Sequence, residues 1–228
     1  MKTQTKTNHQ NRRPRPRSIA SWLLAGGLLL AGCGAAFAPW VWRESVALQL
    51  TGPGLAEFVK FLPEVRTAQL HFERLHFLYP LFWASLAIPL LVENRQLALP
   101  GWLRWLLRLA VIPLALAALS PVWTPAILVA AEFRVQTFLA LLAIGLAMIA
   151  PLLQGLPLRV GAILLVGGGL AAVWLPWQTF KLVQASISAV YDQPVSLGWG
   201  WWLTVAGIGL SLGGGIWAAL TSGARRDQ

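Results

Sequence analysis

The chain reads as an all-α integral membrane protein with six transmembrane helices, an outer amphipathic segment and a cytoplasmic interfacial elbow. Three observations predict this: charged side chains stay out of six long apolar runs, basic residues crowd onto one side, and tryptophans gather at the run ends. The uncharged runs cover 18–42, 77–92, 109–131, 135–158, 160–180 and 193–224. A helix needs ~20 residues to cross a hydrocarbon core of ~30 Å, and a charge at its centre costs roughly 2.5–3.5 kcal/mol. Composition agrees, with 57% hydrophobic and 11% charged residues, the latter about half the ~25% usual for soluble domains.

The spans are placed at about 19–42, 77–92, 109–131, 135–157, 159–180 and 198–220. Residues 1–17 form a disordered basic tail that carries Lys2, Lys6, Arg12, Arg13, Arg15 and Arg17 without an acid. Residues 225–228 form a second short tail, and 18–224 form one membrane domain. If both tails, the 93–108 connection and Arg159 are cytoplasmic, that side carries twelve basic and two acidic residues, against six and six opposite. This is the positive-inside pattern. It predicts the plasma (cytoplasmic) membrane with both termini in the cytoplasm, and it accounts for the +10 charge without nucleic acid.

In the first span, Leu30-Ala31-Gly32-Cys33 resembles a lipobox, the acylation and cleavage site of bacterial lipoproteins. The basic n-region and apolar stretch before it suit a signal peptide. The stretch after Cys33 does not fit, because 35–42 stays apolar where a lipoprotein turns to a polar tether. Cys33 therefore reads as part of an ordinary helix, with lipidation as the alternative. Trp40 and Trp42 end this span and, with Trp123, Trp174, Trp177, Trp199, Trp201 and Trp202, mark the outer headgroup level. Trp22, Trp102, Trp105 and Trp217 mark the inner one. Trp83 alone reads as deep.

The outer connection 43–76 is much the longest. After Thr51-Gly52-Pro53-Gly54, read as a breaker, Leu55, Phe58, Val59 and Leu62 recur at i, i+3, i+4 and i+7. That is one helical face of two turns, lying on the leaflet or capping the bundle. Pro63 ends or kinks it. On the other side, 94–108 reads as an interfacial elbow. Arg104 and Arg108 share a face there and would rest on lipid phosphate.

The remaining spans carry packing signals rather than chemistry. Pro80, Pro89, Pro113, Pro121, Pro125 and Pro176 bound or kink helices in spans two, three and five. In span six, Gly207, Ser211 and Gly215 repeat at four-residue spacing, with Gly209 and Gly213 on the neighbouring ridge. Small residues so spaced admit close backbone approach. Both sets are therefore expected at helix contacts, within the chain or in a homodimer.

No metalloprotease, phosphate-loop or nucleophile-elbow motif occurs, and no ionisable group lies at bilayer depth. His71 and His76 flank Glu73, but a spacing of five separates them around a helix. Asp192 reads as a turn residue before Pro194. No catalytic, cofactor or metal residue is assigned, and no motif points to a known family. The expected role is a non-catalytic accessory or scaffold component, whose partners are the bilayer and either a second copy or a membrane complex. The alternative is a permease-like subunit driven by a separate nucleotide-binding protein. A lipid-directed enzyme using His71, Glu73, His76 and Asp192 ranks third.

Overall fold

The computed structural model describes residues 16–43, 48–120 and 122–223. The tail read over 1–17 lies outside them up to position 15, as do the 225–228 tail and Pro121. The chain is mostly helical, with five helices long and apolar enough to cross a membrane: Ile19–Phe37, Arg74–Leu91, Arg134–Gly155, Leu158–Tyr191 and Trp199–Thr221.

The first helix, α1 (Pro16–Phe37), stops five residues short of the expected 42. Pro39 disfavours helical geometry in the residue before it, and β1 (Val41–Arg43) then pairs antiparallel with β2 (Leu48–Leu50). Thr51 caps α2 (Gly52–Phe58) by accepting from the Gly54 amide at 3.2 Å. The supposed breaker is thus the first turn of a helix, where proline costs nothing because its missing N–H has no helical partner anyway. Leu55, Val59 and Leu62 point into the core as the i, i+4, i+7 pattern requires. Phe58 stacks on Tyr191 at 5.8 Å. This segment caps the bundle. A new short helix, α3 (Pro63–Arg66), begins at Pro63.

A 3₁₀ turn (Arg74–Leu78) leads into α4 (Tyr79–Leu91), the most enclosed helix, which packs against α1, α5, α7 and α8. The expected elbow at 94–108 is divided differently. Asn94 caps a single 3₁₀ turn, Arg95–Leu97, and α5 (Gly101–Ala117) starts at once, so Trp102–Arg108 are its first two turns.

The third expected span, 109–131, is not one helix. With 17 residues α5 reaches about 25 Å at ~1.5 Å per residue. It then gives way to irregular chain and the four-residue α6 (Pro125–Leu128). Ser120 precedes a proline and is pushed out of the helical region. The buried Gln136 amide donates to the Ala118 carbonyl at the frayed end. The run is uncharged throughout, but proline breaks its helix.

The fourth span holds: α7 (Arg134–Ile149) continues as a 3₁₀ stretch to Gly155. The fifth is far longer than 159–180, because α8 (Leu158–Tyr191) runs 34 residues. Its last turns carry polar Lys181, Gln184, Ser186 and Ser188, which hydropathy alone assigns to a loop. Asp192 closes it in the left-handed region (φ 48°), as a turn residue should. The last helix is α9 (Trp199–Gly223).

Helices α1 and α9 are antiparallel neighbours: Ala38 lies beside Gly200, Gly34 beside Thr204, Gly27 beside Ser211 and Ala20 beside Gly214. The Trp40 indole seals one end of this seam, donating to the Gly34 carbonyl (3.1 Å) and meeting Trp201 edge-on at 4.9 Å. Both rings are buried, so these two tryptophans are core residues and not interfacial anchors. Trp22, Trp42, Trp102, Trp105, Trp123, Trp174, Trp199, Trp202 and Trp217 are exposed. Trp83 is deep as expected and donates to the Leu165 carbonyl at 3.0 Å.

Candidate functional site

The small residues of α9 divide into two classes. A methyl group added to Gly214 would sit 2.5 Å from the Leu24 nitrogen and 2.7 Å from the Ala20 carbonyl oxygen. One added to Gly207 would collide with the Ala31 backbone, and one added to Gly215 would lie 2.6 Å from a Leu165 methyl. Ser211 is buried and bonds back to the Gly207 carbonyl at 2.8 Å. Gly209 and Gly213 face open space. The expected second ridge is therefore not a packing surface within the chain. The seam follows 200, 204, 207, 211 and 214 on α9 against 20, 24, 27, 31 and 34 on α1, alternating steps of three and four as a heptad seam does. That alternation in both helices was the signal available in the sequence. Cys33 projects outward from α1, while Ala31 and Gly34 hold the seam.

At the end of the bundle that holds Ala20, charge is tied inward. Glu93 is buried and lies 3.2 Å from Arg104 and 3.5 Å from Arg108. Arg108 also donates to the Ala147 carbonyl (3.2 Å) and lies over the Trp105 ring at 4.5 Å. Both arginines, expected on lipid phosphate, thus have a protein carboxylate as partner. Arg104 is about a third exposed and still reaches the surface. The turn before α5 is knitted to its neighbours: Ser21 donates to the Leu97 carbonyl, Asn94 to Leu156 and Arg95 to Gln154.

At the opposite end, a second ionic cluster joins the capping segment to α7. Glu57 bridges Lys60 (2.6 Å) and Arg74 (2.9 Å), and Glu132 bridges the same two cations at 2.9 and 3.6 Å. Both cations lie over the Phe133 ring, at 4.8 and 4.7 Å. No sequence spacing announced this cluster, because its members come from three distant segments. It borders an open cavity of about 610 Å³, whose lining includes Lys60, Glu73, Arg74, Glu132, Val135 and Tyr79.

Below it, a second cavity of about 320 Å³ runs between α4, α7 and α8. Its lining is apolar, with Phe82, Trp83 and Leu90 from α4, Leu139 from α7, and Leu164 and Gly168 from α8. Gly168 keeps the wall low, for a methyl group there would press on Trp83 at 2.8 Å. Tyr79 lines both cavities.

The histidines are not brought together. His71 is exposed, whereas His76 Nδ1 lies 2.7 Å from the Thr179 hydroxyl and its ring meets Tyr79 edge-on at 5.3 Å. Asp192 sits exposed at the end of α8. Among the described residues no three metal-ligating side chains converge. The chain matches no protein-family model, no curated protein and no solved structure.

Proposed function

We propose that the chain is a non-catalytic component of a membrane assembly, working through contacts made inside the bilayer. The carrying observation is the contrast between ends and flank. Both ends carry paired charge, whereas α7 and α8 are the least buried of the five long helices. They expose Leu141, Met148, Ile163, Leu170 and Trp174. A broad apolar flank on a charge-locked body suits a protein that seats lipid or a neighbouring helix.

The same reading takes six crossings of the plasma membrane, with α5 as a short third crossing and both termini in the cytoplasm. The antiparallel α1 and α9 and the excess of basic residues near their tail-proximal ends support it. Cysteines placed singly at 60, 98 and 190 in a Cys33→Ser chain should react with an impermeant reagent in intact cells only at 60 and 190. Labelling at 98 refutes the topology. Affinity purification in mild detergent tests the role, with a stoichiometric membrane partner expected and lost on Leu141→Gln or Ile163→Gln. A chain that purifies alone and is active on a lipid substrate sinks the proposal.

The knitted turn 92–100 favours one alternative. Tied to α1, α5 and the end of α7, it would transmit a push from a cytoplasmic protein, as in a permease-like subunit. A nucleotide-binding ATPase in the purified complex, released by Asn94→Ala, would support that version.

A further inference from the structure

The two cavities share Tyr79 as a lining residue, and their linings change character on either side of it. Val135 lines the charged cavity and Leu139, one turn on along α7, lines the apolar one. On the other wall Leu75 and Tyr79 repeat the same step. From Tyr79 to Leu91 the apolar cleft follows α4 for about 18 Å at ~1.5 Å per residue. One leaflet of a ~30 Å hydrocarbon core is about 15 Å deep, so the cleft accepts one extended acyl chain lowered from the mouth. Its other walls come from Leu139 of α7 and from Leu164, Gly168 and Ala171 of α8.

The mouth sets the headgroup. Two cations, Lys60 and Arg74, and two carboxylates, Glu73 and Glu132, line it, with Glu57 behind the cations. These five groups sum to a single negative charge. An anionic headgroup therefore meets no net attraction, while a phosphate beside the partly exposed Lys60 and an ammonium beside the exposed Glu73 are both matched. We propose that cleft and mouth form one binding site for an amine-bearing zwitterionic phospholipid of the phosphatidylethanolamine class. One acyl chain lies against α4 between α7 and α8, and the headgroup sits among Lys60, Glu73 and Glu132. The site goes beyond the proposed assembly role and does not depend on it.

The test reconstitutes the full chain in phosphatidylcholine nanodiscs containing a trace of phosphatidylethanolamine with a photoactivatable acyl chain, or the phosphatidylglycerol analogue of equal chain length. Labelled peptides are mapped by mass spectrometry. The ethanolamine probe should mark 82–91 and 161–171 and exceed the glycerol probe about fivefold, a ratio within reach of one exposed charge contact. Leu164→Trp and Ala171→Phe each fill the cleft from its α8 wall and should cut that labelling severalfold. Ile163→Trp, on an exposed position outside the cleft lining, controls for added bulk and should not. Glu73→Gln should bring the two probes toward equal labelling. Label spread evenly over the exposed faces of α5 and α9 and indifferent to the filling variants would mean ordinary boundary lipid and overturn the site. Equal labelling by the two probes in the unsubstituted chain, or a preference untouched by Glu73→Gln, overturns the headgroup assignment and the proposal with it.

Discussion

Gly213 and Gly214 are adjacent in α9 and chemically identical, yet the first is exposed and the second buried, and the structure separates their consequences. At Gly214 the atoms awaiting a new methyl group are the Leu24 nitrogen at 2.5 Å and the Ala20 carbonyl oxygen at 2.7 Å. Both are backbone, so neither can swing aside as a side-chain tip would. Ordinary contact is near 3.5–4.0 Å, so α1 and α9 must part by about 1 Å. That loosens Gly207 and Ser211 farther along the same seam. Overpacking typically costs 1–3 kcal/mol, and with rigid backbone on the receiving side Gly214→Leu belongs at the top of that range. A cost of about 3 kcal/mol lowers the folded-to-unfolded ratio roughly 100-fold. Gly213→Leu adds the same atoms to an open face and should change stability by no more than about 0.5 kcal/mol. Reversible unfolding in mixed micelles, followed by tryptophan fluorescence, measures both; buried Trp40 and Trp201 at one end of the seam report its opening. Equal losses in the two variants, or a silent Gly214→Leu, would refute the seam as the element that holds the first and last helices together.

Three further outcomes are expected from other parts of the molecule. Arg108→Ala should be the more damaging of the two arginine variants, by about 2–4 kcal/mol, because it strips a mostly buried partner from buried Glu93. Arg104, a third exposed and screened by solvent, should cost under about 1 kcal/mol; reversal of that order in detergent thermal melts contradicts the placement of Glu93. Cys33→Ala should leave membrane extraction and abundance nearly unchanged and lower the mass only by the lost sulfur atom, since cleavage before Cys33 would remove Ala20, Leu24, Gly27 and Ala31 from the seam; an acylated or shortened mature chain by mass spectrometry disproves this. Ala98 is exposed in the left-handed region (φ 50°), a conformation that costs a non-glycine residue about 1–2 kcal/mol. Ala98→Gly should therefore raise the midpoint of thermal unfolding slightly, and a fall would mean the turn is held by something other than its backbone geometry.

Local chemistry was legible in the sequence. The absence of charge from the long runs located the five helices able to cross a membrane, because a buried charge is costly wherever it falls. The i, i+3, i+4, i+7 face of Leu55, Phe58, Val59 and Leu62 named the side that meets the bundle, and Asp192 was legible as a turn residue. Pro63, read as a helix end or kink, instead opens α3, since proline fits the first helical turn. Hydropathy failed where its quantity and helicity part company. The stretch after Ala117 is apolar but broken by proline, and α8 past Phe180 is polar but still helical. Only the tertiary structure decided which glycines touch a neighbour and which face outward, since both sets have the same local spacing. It alone joined Glu93 to Arg104 and Arg108, and Lys60 and Arg74 to Glu57 and Glu132. It also shaped the cleft between α4, α7 and α8. Transfer into lipid is a property of each segment taken singly, so a sequence reports it; packing, ion pairing and cavity shape depend on distances between segments, which exist only once the helices have docked.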